Sequence, residues 1–188
     1  VDFLTAVWYR RTVRFPAGWS GRRIFLHFGA VDHDATVWIG GEEVARHRGG
    51  FTSFTADLGV RADEEELVIT VRARDTRDEP QARGKQATWF ANTECFYTRT
   101  TGIWQTVWLE AVGPTYGQSI RWTPRVEDFA LVFEACLEGP LADDLSIDIR
   151  LCSGERLLAH DRYRVVDREI DRSIALPDPG IEDFRNRL

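Results

Sequence analysis

Apolar residues in this chain recur at every second position and nowhere at a long helical spacing. That pattern restricts the fold to extended strands whose faces alternate between core and solvent. Val7, Tyr9, Val13 and Phe15 alternate with Trp8, Arg10, Thr12 and Arg14 up to a turn at Pro16, Ala17 and Gly18. Ile24, Leu26 and Phe28 repeat the pattern. So do Leu67, Ile69, Val71 and Ala73, after an acidic turn at Asp63, Glu64, Glu65 and Glu66 whose charges keep that edge soluble. Segments 35–39 and 43–47 flank Gly40 and Gly41, a pair suited to the positive φ of a tight hairpin. The reading is an all-β protein.

The stretch from Gly102 to Glu110 reads as a strand with bulky residues on both faces: Ile103, Val107 and Leu109 on one, Trp104 and Trp108 on the other. One face fills a sandwich core, and the other meets a second domain. Gly113 and Pro114 close this first unit. Strands then recur at 129–137, 145–152, 155–160 and 162–166, with a turn at Ser153 and Gly154. About five strands fit before Leu188, against the seven of an immunoglobulin-like sandwich, so the second unit is expected to stop before it closes.

Composition narrows the function classes. With a hydrophobic content of 43% and 188 residues, the chain can bury a core, and a net charge of -6 opposes binding to nucleic acid or an anionic membrane. No apolar run long enough for a membrane span and no signal peptide is read at the start. Cys95, Cys136 and Cys152 are odd in number and lack metal-ligand spacing. Cys136 and Cys152 are the one pair that could bridge two strands, but free buried thiols in a reducing cytoplasm are expected instead. The chain contains no methionine, so it is expected to begin inside a longer product.

Between Asp75 and Thr101 the alternation vanishes, and Arg, Asp, Lys and Gln interleave with Trp89, Phe90, Phe96 and Tyr97. Long loops are functional or disordered, and four aromatics favour an ordered one that packs against something outside this chain. Two other motifs carry polar chemistry. In an extended segment Asp32 and Asp34 share a face that His33 opposes, so a polar turn is preferred over a metal site or proton relay. His47, Arg48, Gly49, Gly50 and Phe51 suggest an anion cradle, but they join strands rather than enter a helix. A bend with Phe51 and Phe54 packed inward is the favoured reading. His27 is read as a strand residue satisfied by a neighbour and His160 as a surface residue.

The motifs 8–11, 26–32, 37–41 and 47–54, followed by Gly102, Ile103, Trp104 and Gln105, stand in an order that resembles glycoside hydrolase family 2. This is the group of β-galactosidases, β-glucuronidases and β-mannosidases. The resemblance implies a galactose-binding-like jelly roll over residues 1–112 and an immunoglobulin-like sandwich, incomplete, over 113–188. It also implies that both catalytic glutamates lie on a (β/α)8 barrel absent here, so no Asp or Glu of this chain is assigned a catalytic role.

In β-galactosidases of the family the segment before the Gly-Ile-aromatic strand adds a carboxylate to the edge of the sugar pocket. By position that role falls to Glu94, although Cys95, Phe96 and Tyr97 depart from the acidic run associated with it. Arg99 and Thr101 match the family pattern better, and Trp89, Phe90 and Tyr97 are candidates to stack on sugar rings. Trp104 and Trp108 are assigned to a domain interface. Family members often use sodium or magnesium, but no ligand set assembles from these residues.

The expected partners are a β-linked carbohydrate reached through the parent enzyme, its catalytic barrel and further copies of the parent. The leading expectation is the non-catalytic amino-terminal part of a family 2 β-glycosidase, bracing the barrel and lending a loop to the pocket rim. The runner-up is a free-standing carbohydrate-binding module. A generic adhesion sandwich leaves the ordered motifs unexplained.

Overall fold

The computed structural model describes residues 4–62 and 66–177 and is built almost wholly of antiparallel strands, as the alternation requires. It divides after Gly113 into two compact units. The first holds β1 (Ala6–Arg14), β2 (Arg23–Phe28), β3 (Val31–Asp32), β4 (Asp34–Ile39), β5 (Glu42–Arg48), β6 (Phe54–Val60), β7 (Glu66–Arg74), β8 (Gly102–Ile103) and β9 (Val107–Val112). A four-stranded sheet in the order β1-β7-β4-β5 faces a three-stranded sheet in the order β6-β2-β9, and β3 pairs with β8. This is a jelly-roll-type sandwich.

Its core is the inward set that alternation selects. Ile24, Leu26 and Phe28 of β2 meet Ala35, Val37 and Ile39 of β4 and Ile69, Val71 and Ala73 of β7. Burying each large apolar side chain contributes about 1.5–3 kcal/mol. The β4–β5 hairpin turns on Gly40 and Gly41, with φ of 59° and 97°, as their sequence suggests. Between the edge strands β1 and β9 lies a cleft of about 390 Å³, lined by Tyr9, Val13, Leu26, Phe28, Val71 and Leu109 among others.

The second unit holds β10 (Tyr116–Arg125), a single 3₁₀ turn (Val126–Asp128), β11 (Ala130–Glu138), β12 (Ser146–Ser153), β13 (Arg156–Arg164) and β14 (Glu169–Ala175). Its strands run β10-β11-β14 and β12-β13 around Phe133, Ala135, Ile149, Val165, Ile170 and Ile174.

Several expectations need correction. The segment 102–110 is not one strand but two, broken at residues 104–106, and the break separates Trp104 from Trp108. Residues 156–164 form one continuous strand where two were read, because Asp161 stays in register opposite Ile149 and its carboxylate pairs with Arg172. Strand β10 escapes a pattern search because nearly all its residues are exposed, so no alternation is imposed on them. In β14 Ile170 and Ile174 are buried, while Arg172 between them lies over the Tyr163 ring at 4.3 Å. The three cysteines are free, but Cys95 and Cys152 are exposed rather than buried. In the acidic turn, Asp63, Glu64 and Glu65 lie outside the described residues.

Candidate functional site

Strand β7 ends at Arg74, and the next residue organises everything up to β8. Asp75 is fully buried and its carboxylate accepts four side-chain partners. Arg99 Nε donates at 2.9 Å, Gln81 Nε2 at 2.6 Å, Thr101 Oγ1 at 2.9 Å and Arg83 Nη1 at 3.3 Å. Arg99 Nη2 also donates to the Asp75 carbonyl at 3.1 Å. Both ends of the long loop and its middle are thereby tied to one carboxylate at the foot of the sheet. Burial pushes this carboxyl up, but the bonds from Arg99, Gln81 and Thr101 outweigh it and hold the acid below its ordinary range.

A second buried carboxylate secures the same loop. Asp32, on β3, accepts from Gln86 Nε2 at 2.9 Å, while Gln86 Oε1 accepts from the Thr100 backbone NH at 3.0 Å. Burial raises the Asp32 carboxyl above its usual range, and the Gln86 bond offsets this only in part. Its other oxygen, Oδ1, is buried without a partner among the described residues. Gly50 abuts that oxygen: a Cβ there would lie 2.7 Å from it. Gly50 therefore serves a close approach to Asp32, and Gly49, at a φ of 140°, a turn beside Thr52 and His47, rather than an anion cradle.

Asp32 and Asp34 do not share a face, because the chain turns between β3 and β4 and sends Asp32 inward. Asp32 bonds a side chain of the long loop, not nearby backbone NH groups.

Within the loop, the pairing of Gln86 with Tyr97 is reinforced by Ala87 N donating to Tyr97 O at 2.7 Å and Tyr97 N to Lys85 O at 3.0 Å. Trp89 Nε1 donates to Thr93 Oγ1 at 3.2 Å, and Asn92 Nδ2 to Thr98 Oγ1 at 2.8 Å. Trp89 packs edge-on against Phe96 at 5.2 Å between centroids. Glu94 is exposed at a positive φ of 52°. The loop is ordered, as its aromatics suggest.

The rim candidates separate into two groups. Glu94, Tyr97 and Trp89 are exposed, although the Tyr97 hydroxyl folds back to accept from Lys85 N at 3.3 Å, whereas Arg99 turns inward and its side chain is 3% exposed in the Asp75 ion pair. Phe51 was expected inside, but only Phe54 packs there, on Phe28 and His47. Phe51 is 49% exposed and meets Trp104 edge-on at 6.1 Å, and Trp104 Nε1 donates to Gly50 O at 2.7 Å. Phe51, Trp89, Phe90, Tyr97 and Trp104 thus form an outward aromatic set carried by the loop and its neighbours. Trp108 lies elsewhere, stacked on His27 at 4.9 Å on the outer face of the three-stranded sheet. His27 is satisfied by Thr55 and Glu110, each at 2.9 Å, and His160 bonds Asp148 at 3.0 Å.

Asp75 and Gln86, the two residues most connected to the loop, were not singled out by sequence. Only the position of Asp75, directly after an alternating strand, marks it. Neither buried carboxylate fits a hard cation such as sodium or magnesium. One is committed to arginine, and the other faces an amide and a glycine. Among the described residues no His, Cys, Asp or Glu cluster could hold a metal ion.

A jelly roll with a long loop fastened across one end belongs to the class of β-sandwich domains that present a constructed surface at their loops. The family model for glycosyl hydrolases family 2, sugar binding domain, matches residues 3–111, and the chain belongs to that family.

It is 47% identical over 57 residues to the β-glucuronidase of Paenibacillus borealis, covering 30% of this chain and 10% of that protein. It is 27% identical over 119 residues to the β-galactosidase of Thermoanaerobacter pseudethanolicus, covering 61% of this chain and 15% of that protein. The fold matches a family 2 member from Bacteroides cellulosilyticus with a TM-score of 0.67 at 19% identity, over 92% of this chain and 24% of that one. The β-glucuronidase of Faecalibacterium prausnitzii gives a TM-score of 0.62 at 23% identity, over 92% of this chain and 32% of that one. The chain thus spans a minor part of each relative.

Proposed function

We propose that this chain is the non-catalytic amino-terminal part of a family 2 β-glycosidase of β-glucuronidase or β-galactosidase type. The parent removes terminal β-linked sugars with retention, through two glutamates on a catalytic barrel outside this chain. The present residues brace that barrel, and loop 75–101 contributes to the rim of the sugar pocket.

The observation that carries this reading is the double fastening of the loop by Asp75 and Asp32. Ordering a loop costs about 1–2 kcal/mol per residue in backbone entropy, a cost without purpose unless the loop presents a fixed surface. What it presents is aromatic and outward, suited to a covering domain on one side and a pyranose ring on the other. Assembly of the parent into oligomers belongs to the same proposal, and three unpaired cysteines support a reducing, cytoplasmic setting.

The same aromatics favour the second reading, a free-standing carbohydrate-binding module. The test is made in the full-length polypeptide that carries this chain, with Trp89→Ala and Tyr97→Ala assayed on p-nitrophenyl β-glucuronide and β-galactoside. The expected result is a fall in kcat/KM of about tenfold or more for at least one variant. Unchanged kcat/KM in both removes the loop from the pocket. Binding of either glycoside by the isolated chain, abolished by Trp89→Ala, supports the module instead.

A further inference from the structure

We propose that the outer face of the four-stranded sheet, centred on Trp8, Trp38, Arg10 and Arg72, is a binding platform for an acidic glycan. The sugar it takes carries a carboxylate, as a hexuronate does. The site lies on the sheet rather than on the loop rim, and it does not depend on the reading given above.

Register places these side chains together. Trp8 on β1 sits opposite Arg72 on β7, Arg10 opposite Thr70, and Thr36 and Trp38 on β4 face Arg72 and Thr70 from the other side. The two indoles reach across β7 and stack, with centroids 5.5 Å apart and planes 19° from parallel. The Arg72 guanidinium lies 5.9 Å and 5.8 Å from the two rings, a cation held against both π systems. Its Nη2 donates to Thr36 Oγ1 at 3.2 Å, but its Nε is buried with no acceptor among the described residues. Trp8 is 60% exposed although its ring stacks on Trp38 and lies beside Arg72, so much of the indole faces solvent. Because β1 is an edge strand, a ligand longer than one sugar can run past it.

Charge selects the ligand. On this face Arg14 pairs with Glu66, Arg46 with Glu43, and Arg48 and Arg74 with Glu79. Asp34 lies at the far side, opposite Arg74 and Arg48. Arg10 and Arg72 make no ion pair among the described residues, although Arg72 lies near enough to Glu43 to favour its charged form, in a chain whose net charge is -6. The exposed Arg10 guanidinium beside the Trp8 indole, with Arg72 adding positive charge below, matches a pyranose whose C–H face stacks on the ring while its carboxylate takes the Arg10 guanidinium. A neutral sugar leaves Arg10 unused, and a polyanion with more than one charge per sugar meets the surrounding carboxylates.

The experiment titrates the 188-residue chain with trigalacturonate, and with cellotriose as the neutral control, by tryptophan fluorescence and calorimetry at low salt. The expected result is saturable binding of the acidic trimer, at least about tenfold tighter than cellotriose, weakened about tenfold or more by Trp8→Ala and by Arg10→Gln. Arg10 is exposed and lacks a bond, so an unchanged melting curve in Arg10→Gln separates lost binding from lost folding. No binding up to millimolar trimer, equal affinity for cellotriose, or affinity unchanged in both variants overturns the platform. Binding that survives both but is lost in Trp89→Ala also overturns it and moves the sugar to the loop rim.

Discussion

Asp75 illustrates how a single carboxylate can set the conformation of a long loop. It is ionised against Arg99 in a buried position, so removing it takes the countercharge away from a guanidinium that is 3% exposed. Asp75→Ala is expected to cost about 3–5 kcal/mol in denaturant unfolding and to open the loop to trypsin. Asp75→Asn retains some hydrogen bonds and should lose less. The pH dependence follows from the depressed carboxyl: its contribution is present above the unfolded-state value near about 3.9 and is lost as pH falls through the lower folded-state value. Acid titration of Asp75→Asn should lack that loss.

Asp32 has the opposite sign. Its raised carboxyl favours the fold at low pH, and that contribution fades as pH rises through the elevated value. Asp32→Asn should therefore be neutral or stabilising at pH 7, with the gain over the parent chain shrinking in acid. Thermal melts at two pH values check this.

At the scale of elements, the decisive feature is the break between β8 and β9. Gly102 adopts a φ of 98°, and a Cβ there would lie 2.1 Å from Tyr9 Oη, the oxygen that accepts from Ile103 N at 3.1 Å. Gly102→Ala combines left-handed strain with a clash against a ring fixed in the cleft. A loss of about 2 kcal/mol or more is expected by melting, only partly recovered in the double variant with Tyr9→Phe because the ring itself stays close. The break also swings Trp104 out of the sheet to reach Gly50. At 44% exposure, Trp104→Ala should destabilise the chain far less than Phe28→Ala, for which about 3–5 kcal/mol is expected.

For the whole molecule, two units with separate cores predict separable responses. Phe133→Ala, in the second core, is expected to lose about 3–5 kcal/mol of that unit's stability. Amide hydrogen exchange should then accelerate in β11 and β14 while protection in β4 and β7 holds. Uniform loss across both units would show that they unfold as one.

The all-β class, the hairpin at Gly40 and Gly41 and the order of the long loop were all legible in the sequence. Each follows from local rules: side-chain alternation, the steric freedom of glycine, and the aromatic content of a segment. Family motifs carried the resemblance for the same reason, since they record short-range turns and faces. What sequence could not supply were contacts between residues distant in the chain. Asp75 and Arg99 are 24 positions apart and Asp32 and Gln86 54, and nothing local marks either pair as partners. Whether Arg99 faced a sugar or a buried acid, whether Phe51 turned in or out, and which arginines of the outer sheet made ion pairs were decided by strand register and loop closure. Burial and ion pairing depend on where the whole chain places a residue, and only the tertiary structure specifies that.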